Sequence, residues 1–260
     1  MKKLPISLFI SLLILFVTTG CTIEEGKAIT AFCGSTSKPA MEEATKAFEV
    51  ETGIIVNLNF SGSGTVPSQM KLSHNGDLYI PGSSDYIVIA ERDDVIEPES
   101  VKIITYLIPA ILVQNGNPSN IQSLSDLDQP GINMAIRNPE LVCACLYAYE
   151  ILEHNNLLKE VSNNIITNAE SCSKTASLMA LKSVDAIIGW RIFSKWNPDT
   201  TDMAYLMPGQ IPRIAHIPGA ISKFTENKEY AQMFLDFLVS QSGQDLYLIC
   251  GDILLPRMMP

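Results

Sequence analysis

Residues 28–65 read AITAFCGSTSKPAMEEATKAFEVETGIIVNLNFSGSGT, and their rhythm decides the fold. AITAFCG is short and apolar, the pattern of a buried strand. Pro39 suits the first turn of a helix. Ala40, Ala44, Ala47 and Phe48 then share one helical face, and Gly53 supplies a stop. IIVNLNF (54–60) alternates as a half-buried strand does. The stretch therefore predicts strand, Ser-rich turn, helix, strand and a second Ser/Gly turn, FSGSGT (60–65).

The alternation continues along the chain. A helix follows Pro67, LYIPG (78–82) reads as a short strand, and YLIPAILV (106–113) as a long apolar strand carrying a proline. INMAIRNP (132–139) is a strand and turn. Ala144, Tyr147, Ala148, Ile151 and Leu152 form a helical stripe. NIITNAE (164–170), SKTASLMALK (173–182) and DAIIGW (185–190) read as strand, helix and strand. IPRIAHIPGAIS (211–222) is extended, and Tyr230, Met233, Phe234, Phe237 and Leu238 mark a helix near the carboxyl end. Strand–helix–strand order implies an α/β fold with largely parallel sheets. No phosphate-loop, dinucleotide-loop, HExxH or GxSxG motif is present. The three histidines, His74, His154 and His216, lie far apart in sequence.

The chain opens MKKLPISLFISLLILFVTTGC: two lysines, an apolar run from Ile6 to Val17, small polar residues, then Cys21. That is the layout of an export signal over 1–20. Thr18-Thr19-Gly20-Cys21 resembles a lipobox, with Thr18 where Leu or Val is usual, so Cys21 is expected to be acylated. Residues 21–26 would then be a tether on the extracytoplasmic face of the membrane, held by lipid without spanning. Removing 20 of 260 residues leaves 240, enough for two lobes. Without Lys2 and Lys3 the charges are 16 basic against 28 acidic, a net of −12. This argues against a nucleic-acid partner, which needs a positive field. A small anion held by neutral donors remains compatible. Six cysteines occur; with Cys21 acylated, the remaining five leave at least one thiol unpaired.

Three polar turns lie where strands run into helices: CGSTSKP (33–39), FSGSGT (60–65) and NPELVCAC (138–145). In open α/β sheets such strand ends collect ligands, and each following helix offers unpaired N–H groups. These turns, with GDLYIPGSSDYI (76–87), NPELVCACLYAYEIL (138–152) and AESCSKTASLMALKSVDAIIGW (169–190), resemble the molybdate- and tungstate-binding proteins of ABC importers over roughly residues 27–250. The resemblance implies a two-lobed, periplasmic-binding-protein-like (type II) fold with the ligand between lobes. Lobe one would comprise 27–105 plus 214–260, and lobe two 106–213. The hinge would lie near Tyr106–Ala110 and Pro208–Arg213. The family's cage of two serines, two backbone amides and a tyrosine falls here on Ser35 (or Thr36), Ser63, the amides of Ala144 and Cys172, and Trp190. The implied role is a monomeric receptor, not an enzyme, that needs no cofactor. It would bind molybdate or tungstate and deliver it to a membrane permease.

Four mature cysteines depart from that pattern and map to the rim: Cys33, Cys143, Cys145 and Cys172. Three readings stay open. They are small spacers, or a thiophilic pocket in which Cys143, Cys145 and Cys172 ligate a soft metal or thio-oxyanion, or a disulfide, which would join Cys172 to one of Cys143 and Cys145 rather than those two to each other, since cysteines one residue apart bridge only with strain. A redox or thiol-enzyme role for Cys143 and Cys145 lacks a nearby base. Trp190 can donate through its indole but is bulkier than tyrosine and cannot accept. Lys38, Arg137, Lys174 and Arg191 flank the same turns and are expected to be solvated or salt-bridged. Glu140 and Asp185 are expected to serve local backbone, and Tyr79 and Trp196 to lie in core or surface.

Overall fold

The computed structural model describes residues 27–136, 140, 142–167 and 170–251. The export signal, the tether with Cys21, Arg137 and the Asn138-Pro139 pair lie outside the described residues. Two five-stranded sheets carry the fold. The first half of the chain gives β1 (Ala28–Gly34), α1 (Lys38–Thr52), β2 (Ile55–Ser61), α2 (Val66–Ser73), β3 (Leu78–Ile80), α3 (Asp85–Arg92) and β4 (Lys102–Leu107). Next come β5 (Pro109–Gln114), β6 (Met134–Ala135), α4 (Cys143–His154), α5 (Leu158–Val161), β7 (Ile165–Thr167), α6 (Cys172–Ala180), β8 (Ala186–Trp190), α7 (Ile192–Trp196) and β9 (Thr201–Ala204). The chain closes with β10 (Ala215–Ile221), α8 (Lys228–Val239) and α9 (Gln241–Ile249).

The first sheet has strand order β2-β1-β3-β10-β4 and the second β7-β6-β8-β5-β9. We call each sheet with its helices a lobe. The chain passes between lobes at Ile108 and again after β9. The apolar run 106–113 is thus two strands in two sheets, correcting the single long strand expected from its composition. Pro109 lacks the N–H that would continue one ladder through this point. The sheets are also mixed rather than largely parallel. β1 runs parallel to β2 and β3, but β10 is antiparallel to β3 and β4. In the second sheet β5 is antiparallel to both β8 and β9, while β6 is parallel to β7 and β8. The returning strand β10 brings the last two helices back onto the first lobe.

Local chemistry sets the elements that position the site. Gly53 closes α1 at φ 72°, donating to Glu49 O. Phe48 on α1 packs against Phe234 and Phe237 on α8, with ring centroids 4.9 and 5.5 Å away. Asp77, just before β3, accepts Thr30 N–H at 2.7 Å and the Thr225 hydroxyl at 2.5 Å. This buried carboxylate ties β1 and β3 to the turn after β10. Asp77→Ala leaves those donors without their acceptor and costs about 1–3 kcal/mol. Denaturant unfolding should show that loss as a lower midpoint at unchanged slope; an unchanged midpoint contradicts the assignment.

Candidate functional site

Several strand-end turns face one another across the lobes. From the first lobe, β1 ends in the 3-10 turn Ser35–Ser37, which leads into α1. Ser37 Oγ donates to Gly34 O at 3.0 Å and fixes that turn. β2 ends in the turn holding Ser63, whose hydroxyl accepts Gly82 N–H at 2.9 Å and whose carbonyl accepts the Tyr79 hydroxyl at 2.7 Å. From the second lobe come the first turns of α4 and α6, beginning at Cys143 and Cys172. Ser35, Thr36, Ser63, Cys143, Ala144, Cys172 and Trp190 are all at least 95 % buried.

The lobes touch through these groups. Ser173 N–H donates to Ser35 Oγ at 3.1 Å, and Ser173 Oγ donates to Ser35 O at 3.3 Å. Thr36 Oγ1 lies 3.4 Å from Cys143 Sγ, which lies 3.4 Å from Cys172 Sγ. Ser35, Thr36, Cys143 and Cys172 are therefore one cluster, with Trp190 beside it, and Ser63 joins it through Gly82. A Cβ on Gly82 would come within 2.5 Å of Cys143 Sγ and 3.0 Å of Thr36 Oγ1. The lobes can approach this closely because position 82 has no side chain.

Electrostatics distinguish the two thiols. Burial raises Cys143 well above its ordinary pKa, and its hydrogen bond with Cys172 adds to that. Burial also acts to raise Cys172, but its hydrogen bond with Cys143, together with the nearby Thr36 hydroxyl and Ala144 amide, outweighs it and holds Cys172 below its ordinary value. Of the two thiols, Cys172 is therefore the one that gives up its proton more readily. The Trp190 indole N–H is buried and makes no hydrogen bond to a described residue. It lies close enough to Cys143 to favour that group's anionic form. Tyr147 packs edge-on against Trp190 with centroids 5.0 Å apart.

Some expectations are redirected. The three-thiolate metal set of Cys143, Cys145 and Cys172 is not assembled: among the described residues, no three His, Cys, Asp or Glu side chains are placed to hold a metal ion. Cys143 and Cys145 stand one residue apart on a helical turn, so their side chains diverge. Cys33 is buried on β1 and bonds Ala31 O at 3.6 Å. Lys38 pairs with Glu42 and Lys174 with Glu170, while Arg191 sits over the Tyr205 ring with its buried Nε making no hydrogen bond to a described residue. Asp185 accepts from Asn133, and His154 Nε2 meets Gly209 O at 3.1 Å.

Other contacts were not read from the sequence. Ser173, one residue beyond the amide expected at Cys172, supplies the amide that meets Ser35. Gly82 follows a strand, as the other site turns do, and that position was the available signal. Arg213 bridges the lobes with Nη1 2.9 Å from Asp85 and a two-pronged pair, both at 2.7 Å, to Glu150. Its guanidinium stacks 4.2 Å from the Tyr147 ring centroid, and Tyr147 Oη donates to Asp85 at 3.4 Å. The partners of Arg213 are distant in sequence, so no local pattern announces them.

Gly82→Ala tests the close approach. Overpacking costs about 1–3 kcal/mol, and here that cost falls on the closed arrangement. Small-angle scattering should show a larger radius of gyration at nearly unchanged melting temperature; an unchanged radius contradicts the contact.

Comparison with known proteins agrees with this architecture. A Haemophilus influenzae protein named for binding, with no ligand specified, is 22% identical over 214 residues, covering 82% of this chain and 85% of its own. The Azotobacter vinelandii periplasmic molybdate-binding protein superposes with TM-score 0.76 at 16% identity, covering 87% of this chain and 99% of that one. The sulfate-binding protein SubI of Mycobacterium tuberculosis superposes with TM-score 0.77 at 15% identity, covering 89% and 88%. The family model for bacterial extracellular solute-binding proteins matches residues 29–247, and the chain belongs to that family.

Proposed function

We propose that this chain is an extracytoplasmic receptor that closes its two lobes on one small tetrahedral oxyanion, molybdate or tungstate. It hands that anion to the permease of an ABC importer. The observation that carries the reading is the buried meeting of uncharged donors from both lobes. Ser35 and Thr36 meet the first turns of α4 and α6, Ser63 joins them through Gly82, Lys38 and Lys174 pair with neighbouring glutamates, and Arg191 lies over the Tyr205 ring. A buried dianion needs each oxygen satisfied. Hydroxyls and helix N-termini do this without a formal positive charge, so the anion can still leave.

In this reading the anion replaces the direct contacts. Ser35 Oγ and Ser173 N–H would part and both turn to oxygen atoms of the ligand. The Ala144 amide, at the first turn of α4, would turn to an anion oxygen. The orphaned Trp190 N–H would gain an acceptor. The ligand then stabilises the closed form because it touches both lobes. Acylation at Cys21 would keep the receptor, as a monomer, beside its permease.

The test is titration of the reduced mature protein with tungstate, molybdate, sulfate and phosphate, read by tryptophan fluorescence and thermal shift. Tungstate or molybdate should bind saturably with sulfate inert. Ser35→Ala should weaken binding about tenfold or more, since a hydrogen bond to a charged group contributes about 1.5–3 kcal/mol. Absence of a saturable response to these two anions, or a Ser35→Ala protein that binds as wild type, would sink the assignment.

A further inference from the structure

We propose that Cys143 and Cys172 form a redox-active dithiol in the floor of the cleft, and that its oxidation to a disulfide shuts off ligand binding. The effect on binding rests on the oxyanion reading above; the chemistry of the pair does not. The two sulfurs are 3.4 Å apart on the first residues of two different helices, α4 and α6. A bond length of about 2.05 Å requires them to close by about 1.4 Å, within reach of side-chain rotation. Cys145 is a poorer partner for Cys143, because residues two apart on a helix do not face each other.

The surroundings supply the steps. Cys172 shares a hydrogen bond with Cys143, and with Thr36 and the Ala144 amide nearby its thiolate is the more favoured of the two. That thiolate attacks one sulfur of a low-molecular-weight disulfide, RSSR. The S–S bond of RSSR breaks, and one RS⁻ leaves. Cys143, having lost its proton, then attacks the Cys172 sulfur and expels the second RS⁻. Two electrons pass to RSSR, and the two thiol protons end on the two RSH products.

The first lobe controls access. Both sulfurs are buried, Thr36 Oγ1 stands 3.4 Å from Cys143 Sγ, and the backbone of Gly82 covers the same atom. The oxidant reaches the pair when the lobes part, and a ligand that closes them protects it. Once formed, the bond pulls the first residues of α4 and α6 toward each other and shifts the Ala144 and Ser173 amides, each next in sequence to a bonded cysteine, out of their places in the cage.

The experiment uses the reduced mature protein and oxidised glutathione. After trapping with an alkylating agent, peptide mapping should find one cross-link, Cys143 to Cys172, reversed by dithiothreitol. It should be absent from Cys143→Ser and from Cys172→Ser, each checked for native melting temperature. Tungstate affinity should fall at least tenfold on oxidation and return on reduction. Saturating tungstate should slow cross-linking at least tenfold. A bond elsewhere, no bond, or unchanged tungstate affinity in the cross-linked protein overturns the proposal. The mapping is done without anion. If the reduced protein binds no oxyanion, the oxyanion reading fails while the cross-link alone still decides for or against the dithiol.

Discussion

The contact on which the rest depends is the one between Ser35 of the first lobe and the first turn of α6 in the second. A hydroxyl at the end of one strand accepts from a backbone amide at the start of a helix in the other sheet, 138 residues away. Thr36 reaches the other helix, its hydroxyl 3.4 Å from the Cys143 sulfur at the start of α4. Neither contact involves a formal charge. The cleft is therefore lined by dipoles whose direction is fixed by helix geometry, and dipoles aimed inward from two sides make a place for negative charge.

This arrangement makes closure a competition. Ser35–Ser173, Thr36–Cys143 and Arg213–Asp85 already join the lobes. A ligand shifts the balance between open and closed forms by the difference between its bonds and those it displaces. Arg213 plays a different part from the cage residues. It stands at the second crossing, partly exposed, and holds Asp85 and Glu150 at once. Partly solvated pairs of this kind contribute about 1 kcal/mol or less each. The latch can therefore bias closure without making it irreversible. Its stacking on Tyr147, and that ring's contact with Trp190, link the latch physically to the cleft.

Much of this was legible in the sequence because its signals are local. The strand–turn–helix unit of residues 28–53 announces itself by apolar runs, Pro39 and Gly53, and the structure has it as β1, the turn and α1. The helix beginning at the two cysteines follows from the spacing of Ala144, Tyr147, Ala148, Ile151 and Leu152. What escaped depends on tertiary context. YLIPAILV is uniformly apolar whether it forms one strand or two, so the passage between lobes at Ile108 leaves little trace. Strand direction cannot be read from strands buried on both faces, hence the mixed sheets. α3 and α9 carry short amphipathic patterns that blend into their neighbours. Ser173 rather than Cys172 meets Ser35 because the phase of α6 relative to the cleft is set by packing. The dithiol distance follows from how α4 and α6 converge, which sequence spacing does not reveal.

The central claim is that one small oxyanion sits between the lobes on neutral donors. A crystal of the reduced protein grown with tungstate tests it most directly, through anomalous scattering at the tungsten edge. The account predicts a single strong peak between the lobes. Its oxygens should lie within hydrogen-bonding distance of Ser35, Ser63 and the first turns of α4 and α6, with the direct Ser35–Ser173 bond broken. A peak elsewhere on the chain, or no peak with that bond intact, would contradict it.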